Sequence, residues 1–476
     1  MDDRKDLESY IEALEDELAA SVEREKRIAD GMSFWSFLNW KFRSSWLYKD
    51  IVINPDSKMG KVIRSPRSIY RVIKDPTVRE SLAQKKTLNG DGANRGFGDS
   101  LLEPWLIPLE RRISLAHESL RGGKNVALYY VEKPDSSTFR YRCYNTFEVT
   151  LESKEWQAIY FFKNEIEDLK KLLPKCSVLI LGRQSGQDDK LAGLISSAHR
   201  NNIMVGLDID DLIFDTEYLD VMLDAVGGKV DREFWFNYFL SVQRMAEKVD
   251  YYIATNAFLA KKLEASFGKP CYIIKNSLNA EQIRASMVYS KQKKEGEDFR
   301  VGYFSGSPTH ERDLGVAEPW LVKFLKKHRN TSLVVVGYMN FSDEMQKLVE
   351  KKRVKFLEFT DFRKLQGKMA DVEVNIAPLY LNDFTNCKSE LKFFEAAIAG
   401  TVTIASPSYT FKAAIRSGEN GFLAEGEEWF SKLEYLYKNS QKRRLMARTA
   451  REEVLRKYYG ENFLSEVEKV YERVCR

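Results

Sequence analysis

The sequence predicts an α/β chain of two successive doubly wound domains, preceded by a helical extension. Three observations lead there. From Asn125 onward, short apolar runs alternate with helix-patterned stretches. The alternation restarts near Arg300, after a break at Asn276–Asn279. The 476 residues also exceed what one hydrophobic core holds, since domains of about 100–200 residues are usual.

Asn125–Val131 is an apolar run between Gly-Gly and Pro134, and Ala158–Phe162, Ser177–Leu181, Ile203–Leu207 and Asp250–Ala254 behave alike. Helical stretches such as Asn164–Leu173, Asp188–Asn201 and Ala257–Phe267 lie between or after them. Uniformly apolar strands separated by helices imply a parallel sheet covered on both faces. The second unit repeats this with strands at Arg300–Phe304, Ser332–Val336, Val354–Phe356, Val372–Ala377 and Thr401–Ala405. Its helices are expected at about Arg312–His328 and Cys387–Ala399, and three more close the chain, the last over Phe463–Val474. The domain limits expected are 1–50, 51–122 with a Gly-rich linker at 86–100, 123–278, 279–459, and a C-terminal helix over 460–476.

The first hundred residues read differently. Leu7, Ile11, Leu14, Leu18 and Ile28 fall on one heptad frame, with Ser21 and Glu25 as its polar members. This short seam suits either self-association, docking to a partner helix, or packing on the chain itself. Trp35, Leu38, Phe42 and Trp46 share a helical face flanked by Lys41, Arg43 and Lys49. Aromatic rings beside cations over Phe34–Leu47 suit either a membrane interface or a core cap.

The 75 basic and 70 acidic residues leave a net charge of +5, which offers no general case for nucleic acid. Cys143, Cys176, Cys271, Cys387 and Cys475 form no C-x-x-C pair, and with scattered histidines they imply no structural zinc site and a reducing compartment. No basic-then-apolar leader opens the sequence and no apolar run reaches about 18 residues. The expected location is the cytoplasm, with peripheral contact at the inner face of the membrane if Phe34–Leu47 meets lipid.

Chemistry concentrates in Asn386–Ser406, NCKSELKFFEAAIAGTVTIAS. It enters a helix through Asn386, Lys388 and Ser389, and a helix start offers free N–H groups and partial positive charge to a phosphate. Lys388 adds a full charge, and Glu395 is placed to accept ribose hydroxyls. Gly400 lets the chain leave the helix in a left-handed conformation. A Gly418–Gly421 turn follows. The second cluster is Val301–Leu314, VGYFSGSPTHERDL. Gly302 and Gly306 suit close approach of a diphosphate, and Arg312 supplies a cation. The third is Val205–Asp215, VGLDIDDLIFD, where Asp208, Asp210 and Asp211 end a buried strand. They suit acceptor orientation, base catalysis, a hard cation or capping of the next helix.

These blocks resemble the GT-B glycosyltransferases of the glycosyl transferases group 1 type. Lys388, Ser389, Glu395, Gly400, Ser406, Asn420 and Gly421 match the family's donor-domain pattern, while Cys387 stands where a first glutamate often occurs. Ser-Pro-Thr-His-x-x-Asp, with His310 and Asp313, matches a subgroup common in bacterial surface-polysaccharide assembly, as do the Asp208 block, Arg183-Gln184 and Arg140-Tyr141-Arg142. The resemblance covers about Val126 to Arg476. It implies hexosyl or deoxyhexosyl transfer from a nucleotide-diphosphate sugar to a glycan or lipid-linked acceptor, with retention and with no metal or other cofactor. Gly302, Gly306, Arg312, Lys388, Ser389 and Glu395 would hold the donor. Asp208, Asp210, Asp211 and His310 would serve catalysis, and Arg140 and Arg183 would meet acceptor or phosphate. Two other readings stand beside it: a magnesium-dependent phosphohydrolase using Asp208 and Asp210, and a non-catalytic GT-B-like partner subunit.

Overall fold

In a computed structural model, the structure describes residues 104–476 except 133, 135–136, 185–188, 228–229, 293–297, 306–310, 338, 359 and 476. The Leu7–Ile28 seam, the Phe34–Leu47 segment and the 86–100 linker therefore lie outside the described residues.

Two six-stranded parallel sheets carry the chain. In the first, β1 (Asn125–Val131), β2 (Trp156–Phe162), β3 (Val178–Gly182), β4 (Val205–Ile209), β5 (Tyr251–Ala254) and β6 (Cys271–Ile273) lie in the order β2-β1-β3-β4-β5-β6. In the second, β7 (Phe299–Phe304), β8 (Thr331–Val336), β9 (Val354–Leu357), β10 (Val374–Ala377), β11 (Val402–Ala405) and β12 (Phe422–Leu423) lie in the order β12-β11-β10-β7-β8-β9. Strands such as β2, β5 and β8 are buried along their whole length, because helices cover both faces and leave no solvent side for polar alternation. This is the two-unit doubly wound architecture expected, with β6 and β12 as edge strands too short to show as apolar runs.

Each sheet reverses its winding once. β1 and β3 are neighbours at one switch point, and β7 and β10 at the other. Loops leaving the carboxyl ends of such strands part in opposite directions and leave a crevice where ligands bind. The two crevices face each other across the joint between the units.

Helix limits depart from expectation in two places, and one helical turn has no counterpart among the expected elements. The stretch after Arg312 is two helices, Glu311–Gly315 and Glu318–Lys327, with Pro319 near the start of the second. Arg140–Tyr144 is a π-helical turn that runs on into the Asn145–Thr150 helix. The expected Cys387–Ala399 helix starts only at Leu391 and runs to Ile398, after a separate short helix over Asp383–Asn386, so Lys388 and Ser389 lie between helices rather than inside one.

The C-terminal helix, Gly460–Cys475, belongs in space to the first unit. The preceding helix, Ser440–Tyr458, packs Ala450, Val454 and Tyr458 with Phe394 and Ile398 of the second unit. Gly460, with φ +63, then turns the chain back. Phe463, Val467, Val470, Tyr471 and Val474 enter the core under the first sheet. Tyr471 shares a 2.8 Å hydroxyl hydrogen bond with Tyr129 in a fully buried setting. Tyr471→Phe should leave the Tyr129 hydroxyl unpaired and lower stability by about 1–2 kcal/mol in urea denaturation. Among the described residues, no helix is long and apolar enough to cross a membrane.

Candidate active site in the cleft

The acidic block at the end of β4 divides into two roles. Asp208 is buried and both its oxygens are held by Arg142, Nε at 2.8 Å and Nη2 at 3.0 Å. Arg142 also donates through Nη1 to the Ile274 carbonyl at 2.6 Å and to Asn276 Oδ1 at 3.1 Å. Burial outweighs the arginine and pushes the Asp208 carboxyl up to about 6. Asp208 thus anchors the first sheet to the inter-unit joint.

Asp210 and Asp211 turn toward the cleft instead. Asp210 accepts from Thr138 Oγ1 at 3.2 Å and from Arg183 Nη1 at 3.4 Å. Asp211 lies 3.6 Å from the same guanidinium and is partly exposed. Burial raises the Asp210 carboxyl against the pull of Arg183. Neither residue caps a helix; the cap of the next helical turn is Asp215, which accepts from the Glu217 N–H.

Arg183 follows β3 at φ +40, a left-handed value that costs a non-glycine residue energy. Its N–H donates to the Asp208 carbonyl at 2.9 Å and its Nε donates to the Tyr238 hydroxyl at 3.1 Å. That backbone sends the side chain between two cavities. One, of 180 Å³, sits at the β1/β3 switch point and includes Thr138, Arg142, Asp208 and Tyr238 in its walls. The other, of 140 Å³, lies between the units and is lined by Arg183, Asp211 and Trp235 on one side and Asp313, Thr385 and Lys388 on the other.

On the far wall, Lys388 reaches this second cavity from the segment between the Asp383–Asn386 and Leu391–Ile398 helices. Its amine lies 4.7 Å from the Phe384 ring centroid and forms no ion pair among the described residues. One helical turn on is Lys392, in the first turn of Leu391–Ile398. Its amine is buried over the Tyr303 ring at 4.9 Å with no hydrogen-bond partner. Burial holds that amine down at about 8. Lys392 was not singled out from the sequence, although its i,i+4 spacing from Lys388 was the available signal.

The other expected donor residues are placed differently. Glu395 is buried and accepts from Gln282 Nε2 at 2.7 Å and from the Tyr141 hydroxyl, with Arg140 3.7 Å away. Burial raises its carboxyl. It therefore meets protein groups of the joint rather than open space for a ribose, and Arg140 goes with it instead of facing a phosphate. Arg312 is an exposed cross-cleft tie: its Nη1 meets Asp224 Oδ1 at 2.5 Å and its guanidinium covers the Tyr380 ring at 4.0 Å. Gly302 lies inside β7, where a Cβ would sit 2.7 Å from the Phe304 ring, so packing requires glycine there. Ser389 Oγ accepts from Asn276 Nδ2 at 2.9 Å, which ties the joint to the donor wall. Gly400 has the expected left-handed φ, +79. His310 and Gly306 lie outside the described residues.

Cys387 is fully buried, and its carbonyl accepts from Asn256 Nδ2 at 2.7 Å. With Lys262–Asp383 at 2.5 Å and Asn382 Nδ2 to the Val221 carbonyl at 2.8 Å, this contact holds the units closed on the donor side. A glutamate side chain at 387 would have to enter that dry contact.

Residues 316–439 match the family model described as glycosyl transferases group 1. No curated protein matches the chain. Among solved structures, the chain is similar to HepE of Anabaena in complex with UDP at 13% identity and TM-score 0.48, over 73% of this chain and 99% of that one. A glycosyltransferase from Rickettsia africae matches at 14% identity and TM-score 0.49, over 74% and 99%. Sucrose-phosphate synthase from Thermosynechococcus elongatus gives the same identity, TM-score and shares. The segment that carries the Lys388 wall of the cleft is thus the part of the chain that is similar to the glycosyl transferases group 1 family.

Proposed function

We propose that the chain transfers a sugar from a nucleoside-diphosphate sugar to a glycan acceptor. One observation carries this reading: the Lys388 amine, with no ion pair among the described residues, lines the cavity on the donor side, and the Lys392 amine lies buried near it without a hydrogen-bond partner at the start of the Leu391–Ile398 helix. A departing nucleoside diphosphate develops negative charge, and fixed cations in a water-poor crevice stabilise it. The two amines supply that charge without a metal ion. Asp211 and Arg183, the latter held by Asp210, face Lys388 across the 140 Å³ cavity and would orient the acceptor hydroxyl. Retention of configuration, hexosyl or deoxyhexosyl specificity and a role in bacterial surface-polysaccharide assembly follow from the family resemblance and complete the proposal.

A thermal-shift panel of UDP, GDP and ADP with their sugars tests it. One of them at 100 times its dissociation constant should add about 2.7 kcal/mol of stability. No shift with any member would remove the donor site. The pH dependence of the shift is set by Lys392. Its folded value of about 8 lies below the 10.5 of a free lysine. The unfolded chain thus binds more protons between those values, and the unliganded protein gains stability as pH rises through that window. A diphosphate needs the charged amine, so its affinity should fall as pH rises above 8. Affinity of the Lys392→Met variant should lose that dependence.

A further inference from the structure

The helix Arg232–Ala246 buries Phe239, Val242, Met245 and Ala246 and turns a second set of aromatic residues outward. Phe234 is 59% exposed and Phe236 44%. Phe234 lies parallel to Tyr238, with centroids 6.5 Å apart and planes at 8°, and Trp235 meets both rings edge-on at 5.6 and 5.8 Å. This face is continuous with the cleft on both sides. Tyr238 is a wall of the 180 Å³ cavity and holds Arg183, while Trp235 is a wall of the 140 Å³ cavity.

We propose that Phe234, Trp235 and Tyr238 form a stacking platform for a neutral carbohydrate chain whose terminal ring enters the cleft beside Arg183. Sugar rings present flat C–H faces to aromatic rings and hydroxyls to polar rims. The adjoining cavity is such a rim, with Thr138, Arg183 and Tyr238 in its walls. Its charges also select. Arg142 is neutralised by Asp208, and Arg183 stands between Asp210 and Asp211, so no cation is left over for an anionic acceptor. The helix has no basic cluster for an anionic lipid surface either: Arg232 is paired with Asp220 and flanked by Asp231 and Glu233, and Arg244 stands alone in the last turn. The platform extends the acceptor site beyond one ring, so the acceptor class is a chain rather than a single sugar.

This deepens the sugar-transfer reading and rests on it for the class of ligand. The full chain and its Phe234→Ala and Phe234→Trp variants are applied to an array of neutral oligosaccharides, from single rings to short chains. The alanine variant is expected to bind chains roughly five- to tenfold more weakly than wild type, with tryptophan restoring binding. Equal binding of chains by the alanine variant, or no neutral chain bound by wild type, overturns the platform. Vesicles of phosphatidylglycerol and phosphatidylethanolamine, and sedimentation velocity, complete the test. Vesicle binding or dimerisation that disappears with Phe234→Ala gives the face to lipid or to a second copy and overturns the proposal. The UDP thermal shift of wild type and the alanine variant should be equal. Its absence in both would sink the donor site alone, while the array still decides the platform.

Discussion

Lys388→Ala is expected to lower kcat/KM for sugar transfer by about a hundred- to a thousandfold, the range found when one donor to developing charge is removed. The protein should stay folded. The amine forms no ion pair among the described residues, so its loss strands no carboxylate, and the urea midpoint should move by no more than a surface change does, about 0.5 kcal/mol. The effect should fall on kcat as well as on donor affinity, because charge on the diphosphate is greatest as the glycosidic bond breaks. A variant that keeps full activity would show that the leaving group is stabilised elsewhere.

Arg142→Ala is the substitution with the largest expected effect on stability, about 3–5 kcal/mol, because it leaves a buried charge without its partner. Asp208 loses both guanidinium bonds, and the Ile274 carbonyl and Asn276 Oδ1 lose theirs. The sign of its pH dependence follows from burial. Asp208 already sits at about 6, above the 3.8 of a free aspartate, and without Arg142 it should rise further. Above pH 6 the folded variant then holds a proton that folded wild type has lost, so its deficit should shrink as pH falls toward 6 and level off below it. The paired change Arg142→Met with Asp208→Leu should recover much of the loss, since it removes both charges together. Urea denaturation of the single and double variants at two pH values measures this. An Arg142→Ala variant as stable as wild type would show that the pair does not anchor the joint.

The strands and the motif-bearing segment were legible because their causes are local. Apolar runs such as Asn125–Val131 report burial on both faces, and Ala257–Phe267 is framed by Asn256 as cap and Gly268 in a left-handed conformation. The direction of side chains in the cleft was not legible. Lys388 and Glu395 fit one sequence pattern, yet Lys388 meets a cavity while Glu395 meets Tyr141 and Gln282 from elements more than a hundred residues away. Asp208 and Asp211 are three positions apart, and an arginine on another element decides that one is tied and the other faces the cavity. Arg312 looked like a phosphate ligand until Asp224 was brought beside it.

By itself, the sequence determined two parallel α/β units and the segment between strands that carries Lys388, because periodicity, turns and caps are properties of neighbouring residues. Only the tertiary structure decided that the last helix crosses back to the first core, that the Lys392 amine is buried near Lys388 without a hydrogen-bond partner, and that Arg142 holds Asp208 by both oxygens. Each of those depends on which distant groups share a dry interior, where an ion pair or its lack outweighs anything local spacing can specify.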